Sequence, residues 1–141
     1  MIAEYYAQAE FMSYGYEVYD TTIDDRGIDF VARRGDELLE VQVKAVRNNN
    51  YTFIAESKMP KPLTDSRIVC YFRFTDGSMP DMYIIPSTVW NTTNSVFTYK
   101  DYKDKKSKPE YGISGAKSGL ELLEPYRAEH YFEREAAQGL D

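Results

Sequence analysis

Asp29, Gln42 and Lys44 are the residues whose types and spacing could do chemistry, and all three fall in the stretch Gly27-Ile-Asp-Phe-Val-Ala-Arg-Arg-Gly-Asp-Glu-Leu-Leu-Glu-Val-Gln-Val-Lys-Ala45. Gly35-Asp36 is a two-residue turn signal with Gly at the first central position. Folding about that turn sets Asp29 opposite Gln42, Gly27 opposite Lys44 and Val31 opposite Glu40. Side chains alternate between faces along a strand. One face then carries Ile28, Phe30 and Ala32 against Leu39, Val41 and Val43. The other carries Asp29, Glu40, Gln42 and Lys44, with Val31 and Leu38 toward the turn. A slip of one residue would mix the two sets, which fixes the register. A carboxylate, an amide and an ammonium side by side admit two readings. One is a solvated sheet face with a cross-strand ion pair, worth about 0.2–1 kcal/mol. The other is a metal-dependent phosphodiesterase site, in which Asp29 holds a divalent cation, Gln42 adds a neutral oxygen, and Lys44 orients the water or steadies the phosphorane.

The elements that must position these groups can be read outward from the hairpin. Residues 2–14 predict a helix stopped by Gly15. Glu4, Ala7, Phe11 and Tyr14 share one side of it, and Ile2, Tyr5, Ala9 and Met12 another, so the helix is expected to be covered on more than one side. Glu4 either sits in the first turn, where the helix dipole favours an acid, or is drawn inward toward a cation. Tyr16–Tyr19 reads as a strand and Asp20–Arg26 as a polar loop. Asn48–Asn50 makes a turn, Tyr51–Ile54 a short strand, and Lys58–Asp65 a loop with Pro60 and Pro62. Arg67–Phe74 is a buried strand. Asp76-Gly77 turns into Asp81–Ile85, which Pro86 stops, and Ser87 is placed to cap a helical turn through Trp90. Ser95–Thr98 is a further strand, Lys100–Ser114 a long charged loop, and Gly119–Glu135 a helix bent at Pro125. This order predicts a single domain over residues 1–141, an α+β or α/β sandwich with a central mixed sheet flanked by an N-terminal and a C-terminal helix.

Composition narrows the class. With 141 residues, 43% apolar, thirteen Tyr and seven Phe, the chain has the means to bury a core. No apolar run approaches the roughly 20 residues of a membrane span. The start lacks a signal-peptide pattern, and the single cysteine, Cys70, excludes an internal disulfide framework and a Cys-rich zinc site. These features lead to the expectation of a cytoplasmic protein. The net charge of −6 argues against a promiscuous nucleic-acid coat, yet the charge is segregated. Lys100, Lys103, Lys105, Lys106 and Lys108 crowd one stretch that could contact a phosphate backbone or be an ordinary solvated loop, and Arg33, Arg34 and Arg47 could extend a basic rim. The tyrosines could stack on bases, though most are expected in the core. His130, the only histidine, reads as a surface residue.

A helix carrying Glu4, then Gly15-Tyr-Glu-Val18, Gly27-Ile-Asp-Phe30 and Val41-Gln-Val-Lys44, resembles the PD-(D/E)xK nuclease superfamily. Its look is nearest to the archaeal Holliday-junction resolvases and to bacterial domains sharing the Ala3-Glu-Tyr-Tyr6 start. The likeness covers residues 3–45, with Tyr83-Ile-Ile-Pro-Ser87 a weaker echo of the bacterial domains. It implies a restriction-endonuclease-like fold and a metal-dependent DNA endonuclease with Glu4, Asp29, Gln42 and Lys44 as catalytic residues. Glu4, Asp29, Gln42 and the Val43 carbonyl would hold Mg²⁺ or Mn²⁺, since hard oxygen ligands suit those ions. It further implies DNA, branched or structured, as the partner and a homodimer as the assembly. Two departures stand out: the Pro before the motif Asp is absent, and Gln42 replaces the usual Glu, which removes a charge from the metal site. Glu40 is a candidate to compensate. A catalytically lapsed nuclease fold, kept for nucleic-acid binding or protein interaction, is the alternative.

Overall fold

In the computed structural model, residues 2–21, 26–103 and 106–139 are described, the side chains of 137–139 excepted. The hairpin stands at the centre of a five-stranded sheet. Its strands are β1 (Glu17–Asp20), β2 (Phe30–Arg34), β3 (Glu37–Arg47), β5 (Arg67–Phe74) and β6 (Asp81–Pro86), in the order β1-β2-β3-β5-β6. The β2–β3 register is the one the turn dictates, with Phe30 opposite Val41 and Arg34 opposite Glu37, and Gly35 adopts the positive φ the turn needs. β3 and β5 are parallel while the other pairs are antiparallel, so the sheet is mixed. A parallel pair inside a sheet must be covered on both faces. Seven of the eight β5 residues are accordingly buried.

Helices cover one face. α1 (Ile2–Ser13) and α3 (Ala128–Gly139) lie over Phe30, Ala32, Leu39, Val41, Val43, Ile68, Cys70 and Phe72. Phe11 packs edge-on against Tyr16, Phe30 and Phe132, knitting both helices to the sheet. The other face is covered by a second, three-stranded antiparallel sheet. Its order is β4-β8-β7, with β4 Thr52–Ala55, β7 Phe97–Lys100 and β8 Glu110–Ile113. Ile54, Phe97, Ile113 and Trp90 meet Val69, Tyr71, Tyr83 and Ile85 in the interlayer core.

Four expectations need correction. The stretch 100–114 is not all loop, because Glu110–Ile113 forms the central strand of the second sheet. The segment 119–135 is not one bent helix. A short helix α2 (Leu120–Leu123) is followed by a 3-10 turn at Glu124–Tyr126, and Arg127 is extended and bridges to Tyr83 before α3 begins. Pro125 cannot donate to the preceding turn, and the chain breaks there rather than bends. Finally, α1 is covered on one side only. Ala3, Ala7 and Phe11 are buried, whereas Ile2, Tyr5, Ala9 and Met12 are exposed, because the helix belongs to the outer layer. Ser87 turns inward too. Its hydroxyl donates to the Thr64 carbonyl at 2.6 Å and caps nothing.

Candidate functional site

The site is built where β2 ends short. The ladder with β3 begins at Phe30–Val41, one residue after Asp29. Asp29 steps out of register: its N–H donates to the Val41 carbonyl at 2.8 Å, and its Oδ2 accepts from the Val43 N–H at 2.7 Å. A residue's N–H and C=O point the same way in an antiparallel ladder, so Val43 presents both to the side β2 no longer covers. The Asp29 carboxylate fills part of that gap. The departure is held by Thr21, whose hydroxyl donates to the Ile28 carbonyl at 2.8 Å, and by Gly27, at φ +75°.

Gly27 therefore does not face Lys44, and Asp29 is not a ladder partner of Gln42. Gly27 sits instead against Gln42 and Lys58. A Cβ on Gly27 would lie 2.9 Å from Gln42 Nε2, 3.0 Å from Lys58 Cβ and 3.1 Å from the Lys58 carbonyl, so only glycine closes this corner. Lys58, in the 3-10 turn Glu56–Lys58, is a site neighbour that sequence reasoning missed. Its approach to Gly27 is a tertiary contact with no local signal.

Gln42 is buried, 5% exposed, on the β3 face turned toward the second sheet. Its Oε1 has no hydrogen-bond partner among the described residues. An unsatisfied buried acceptor costs about 1–3 kcal/mol, so this oxygen is available to accept a bond or to coordinate a cation. Lys44, two residues on, is half-buried beside Tyr71 of β5 and makes no hydrogen bond or ion pair among the described residues. Glu4 is half-buried on the flank of α1 that also carries Gln8, whose Nε2 donates to Asp20 Oδ1 at 2.6 Å. Asp20 pairs with Phe30, and α1 runs antiparallel to β1. Glu4, one turn before Gln8, thus lies at the Asp29 end of the sheet. Cys70 is fully buried opposite Val43. Burial pushes its thiol up, and the Asp29 carboxylate adds to that shift, as expected of a negative charge close to β5.

Glu40 does not supply a spare carboxylate. It lies 3.6 Å from Nε of Arg67. Arg67 is 4% exposed, and its Nη1 donates to the carbonyls of Arg26 at 3.1 Å and Lys58 at 2.9 Å. Arg67 thereby clamps both segments that converge on Gly27. The arginines form no common rim: Arg47 is paired with Asp76 at 2.6 Å, Arg33 with Glu17 at 3.7 Å, and Arg34 lies over the Tyr16 ring. Lys100, Lys103, Lys106 and Lys108 are exposed at one end of the second sheet. Lys105 lies outside the described residues. His130 is exposed on α3.

The residues fit a hard divalent cation in kind. The carboxylates of Asp29 and Glu4, the Gln42 amide and the Val43 carbonyl offer oxygen, and one of these atoms, Gln42 Oε1, is buried and without a partner among the described residues. They fit a weakly charged site in number, since no three of His, Cys, Asp and Glu among the described residues gather as a metal cluster.

A mixed central sheet carrying an N-terminal and a C-terminal helix on one face matches a resolvase- or nuclease-like fold. No family model matches the chain, and no curated protein matches it. Among solved structures it is similar to that of Archaeoglobus fulgidus Hjc, a Holliday junction resolvase from an archaeal hyperthermophile, with a TM-score of 0.57 at 12% identity over 93% of each chain. At that identity the likeness is one of fold. No helix among the described residues is long and apolar enough to cross a membrane.

Proposed function

We propose that this protein is a metal-dependent nuclease that hydrolyses phosphodiester bonds in DNA. The observation that carries the reading is the unpartnered, buried Gln42 Oε1 at the corner where the Asp29 carboxylate closes the end of β2. Asp29, Glu4, Gln42 Oε1 and the Val43 carbonyl would hold Mg²⁺ or Mn²⁺. When bound, such an ion supplies Lewis-acid polarisation of the phosphate and a lowered pKa for water. The Val43 N–H fixes the Asp29 carboxylate. Lys44, with no partner among the described residues, is the ammonium available to neutralise a non-bridging phosphate oxygen or to orient water. The same fold in an archaeal Holliday junction resolvase supports DNA, branched DNA included, as the substrate.

The test is nicking of supercoiled and branched DNA with Mg²⁺ or Mn²⁺ by wild type, Lys44→Ala and Asp29→Asn, each checked for folding. Either substitution is expected to lower the rate by about 100-fold or more. A specific observation favours a second reading, the lapsed nuclease fold: the motif acid is replaced by Gln42, and no three acidic or metal-binding side chains converge among the described residues. A wild type that cuts no substrate and shows no metal binding by calorimetry would decide for it.

A further inference from the structure

The outer face of the three-stranded sheet carries a built aromatic surface that the proposed cleavage chemistry does not use. Tyr51 lies across the centre of this face. A Cβ on Gly112 would meet its hydroxyl at 2.1 Å and its ring carbon Cε1 at 2.5 Å, so the ring rests on the one position of β8 without a side chain. The Tyr51 hydroxyl donates to Glu110 at 2.5 Å, and Glu110 is buried. Lys100 Nζ stands 4.3 Å from the ring centroid. Phe53 stacks against Tyr51 with centroids 6.4 Å apart and planes inclined by 21°. Both rings also face solvent, Phe53 at 50% and Tyr51 at 39% exposure. A phenylalanine half in water at a strand centre covers no core, while its partner is fixed from below, from the side and by charge.

Charge selects what such a surface takes. Residues 100–108 contain five lysines against two aspartates in a chain whose net charge is −6. This stretch joins β7 to β8 at the end of the sheet where Lys100 pairs with Glu110. One described lysine there, Lys103, lies 3.9 Å from Asp101; Lys106 and Lys108 are exposed and form no ion pair among the described residues. Flat rings bordered by ammonium groups suit an anionic chain with flat side groups. Duplex DNA hides its base faces, whereas an unpaired strand offers them together with its phosphates. The Tyr51 hydroxyl is turned to Glu110 and that of Thr98 is buried, so neither is directed outward to read a ribose 2′-hydroxyl. The surface also leads toward the site. Pro109, at the end of the lysine stretch, accepts from the Glu56 N–H at 3.0 Å, and two residues later Lys58 packs on Gly27 beside Gln42.

We propose that the outer face of the second sheet, through Phe53, Tyr51 and Lys100 with Lys103, Lys106 and Lys108, binds an unpaired DNA strand by base stacking and phosphate contact. The inference shares its ligand class with the proposed nuclease but needs neither metal nor cleavage. Fluorescence anisotropy in EDTA, with labelled oligo-dA of about 12 nucleotides, tests it on the full chain. Phe53→Ala is expected to weaken binding about tenfold and Phe53→Trp to retain it. Lys100→Ala is expected to flatten the dependence of log K on log salt by about 0.7. Unchanged affinity in Phe53→Ala would overturn the proposal, as would equal binding of an abasic strand of the same length or tighter binding of the matching RNA. Wild type that nicks duplex DNA yet binds no unpaired strand would overturn it and leave the nuclease reading standing. Wild type that binds with Phe53 dependence and cuts nothing would do the reverse.

Discussion

Two buried polar side chains on the same face of the central sheet, Gln42 on β3 and Arg73 on β5, are treated in opposite ways by the fold. Arg73 is 8% exposed. Its Nη1 donates to the Tyr71 hydroxyl at 3.1 Å, and its Nη2 donates to Asn49 Oδ1 at 3.1 Å and the Gly115 carbonyl at 3.0 Å. It ties the β3–β4 turn and the end of β8 to the central sheet. Gln42, slightly more buried, has an acceptor with no partner among the described residues. The chain can evidently satisfy a buried group on this face, and at Arg73 it does so threefold. Where it leaves Gln42 unsatisfied, beside a carboxylate and a half-buried lysine, the difference is the one the proposed site requires between a structural residue at one end of the face and a ligand-binding one at the other.

The largest effect that would sharpen this contrast is expected at the structural end. Arg73→Met removes three charge-assisted hydrogen bonds and leaves the buried Gly115 carbonyl without its donor, a loss of about 3 kcal/mol in unfolding free energy. Urea denaturation should show that loss unchanged by added Mg²⁺ or Mn²⁺. A metal-dependent loss would erase the distinction between the two ends. Gln42→Glu should give a smaller and opposite-signed pair of effects. A second carboxylate beside Asp29 lowers stability without metal by about 1–2 kcal/mol, because a buried charge must be desolvated. It should also raise divalent-ion affinity about tenfold or more, since it restores a charged ligand. Calorimetric titration of the two proteins reads both. An affinity that does not rise would place the metal elsewhere or nowhere.

What the sequence made legible follows the same division between local and distant causes. The β2–β3 register, the stop of α1 at Gly15 and the buried strand Arg67–Phe74 depend on a turn, a left-handed glycine and an unbroken apolar run, all readable within a few residues. The nuclease-like fold was legible only through the resemblance that the motifs around Glu4, Asp29, Gln42 and Lys44 carry, and the structural likeness bears out that fold without testing those roles. The strand Glu110–Ile113 was hidden, because four residues including a glycine beside a lysine-rich run carry no alternation. Its place is set by pairing with β4 and β7 across more than ten residues of chain. The exit of Asp29 from the ladder was hidden too. Gly27 and Lys58 meet only after β4 has crossed the sheet, and Arg67 clamps them there.

The smallest effect is the one that isolates Gln42 itself. Its side chain makes no hydrogen bond among the described residues, so Gln42→Met deprives no neighbour of a partner and keeps the volume of the side chain. If the amide were structural, its loss would cost stability as Arg73→Met does. If it is held unsatisfied for a ligand, removing an orphaned acceptor should leave the metal-free protein within about 1 kcal/mol of wild type, or slightly more stable. The cost should then appear only with the ligand. An ion that binds the folded state alone would raise the melting temperature of wild type in Mn²⁺, and that rise should shrink or vanish in Gln42→Met. Thermal melts of both proteins with and without Mn²⁺ decide the matter. A variant destabilised equally in both conditions would return Gln42 to the company of Arg73.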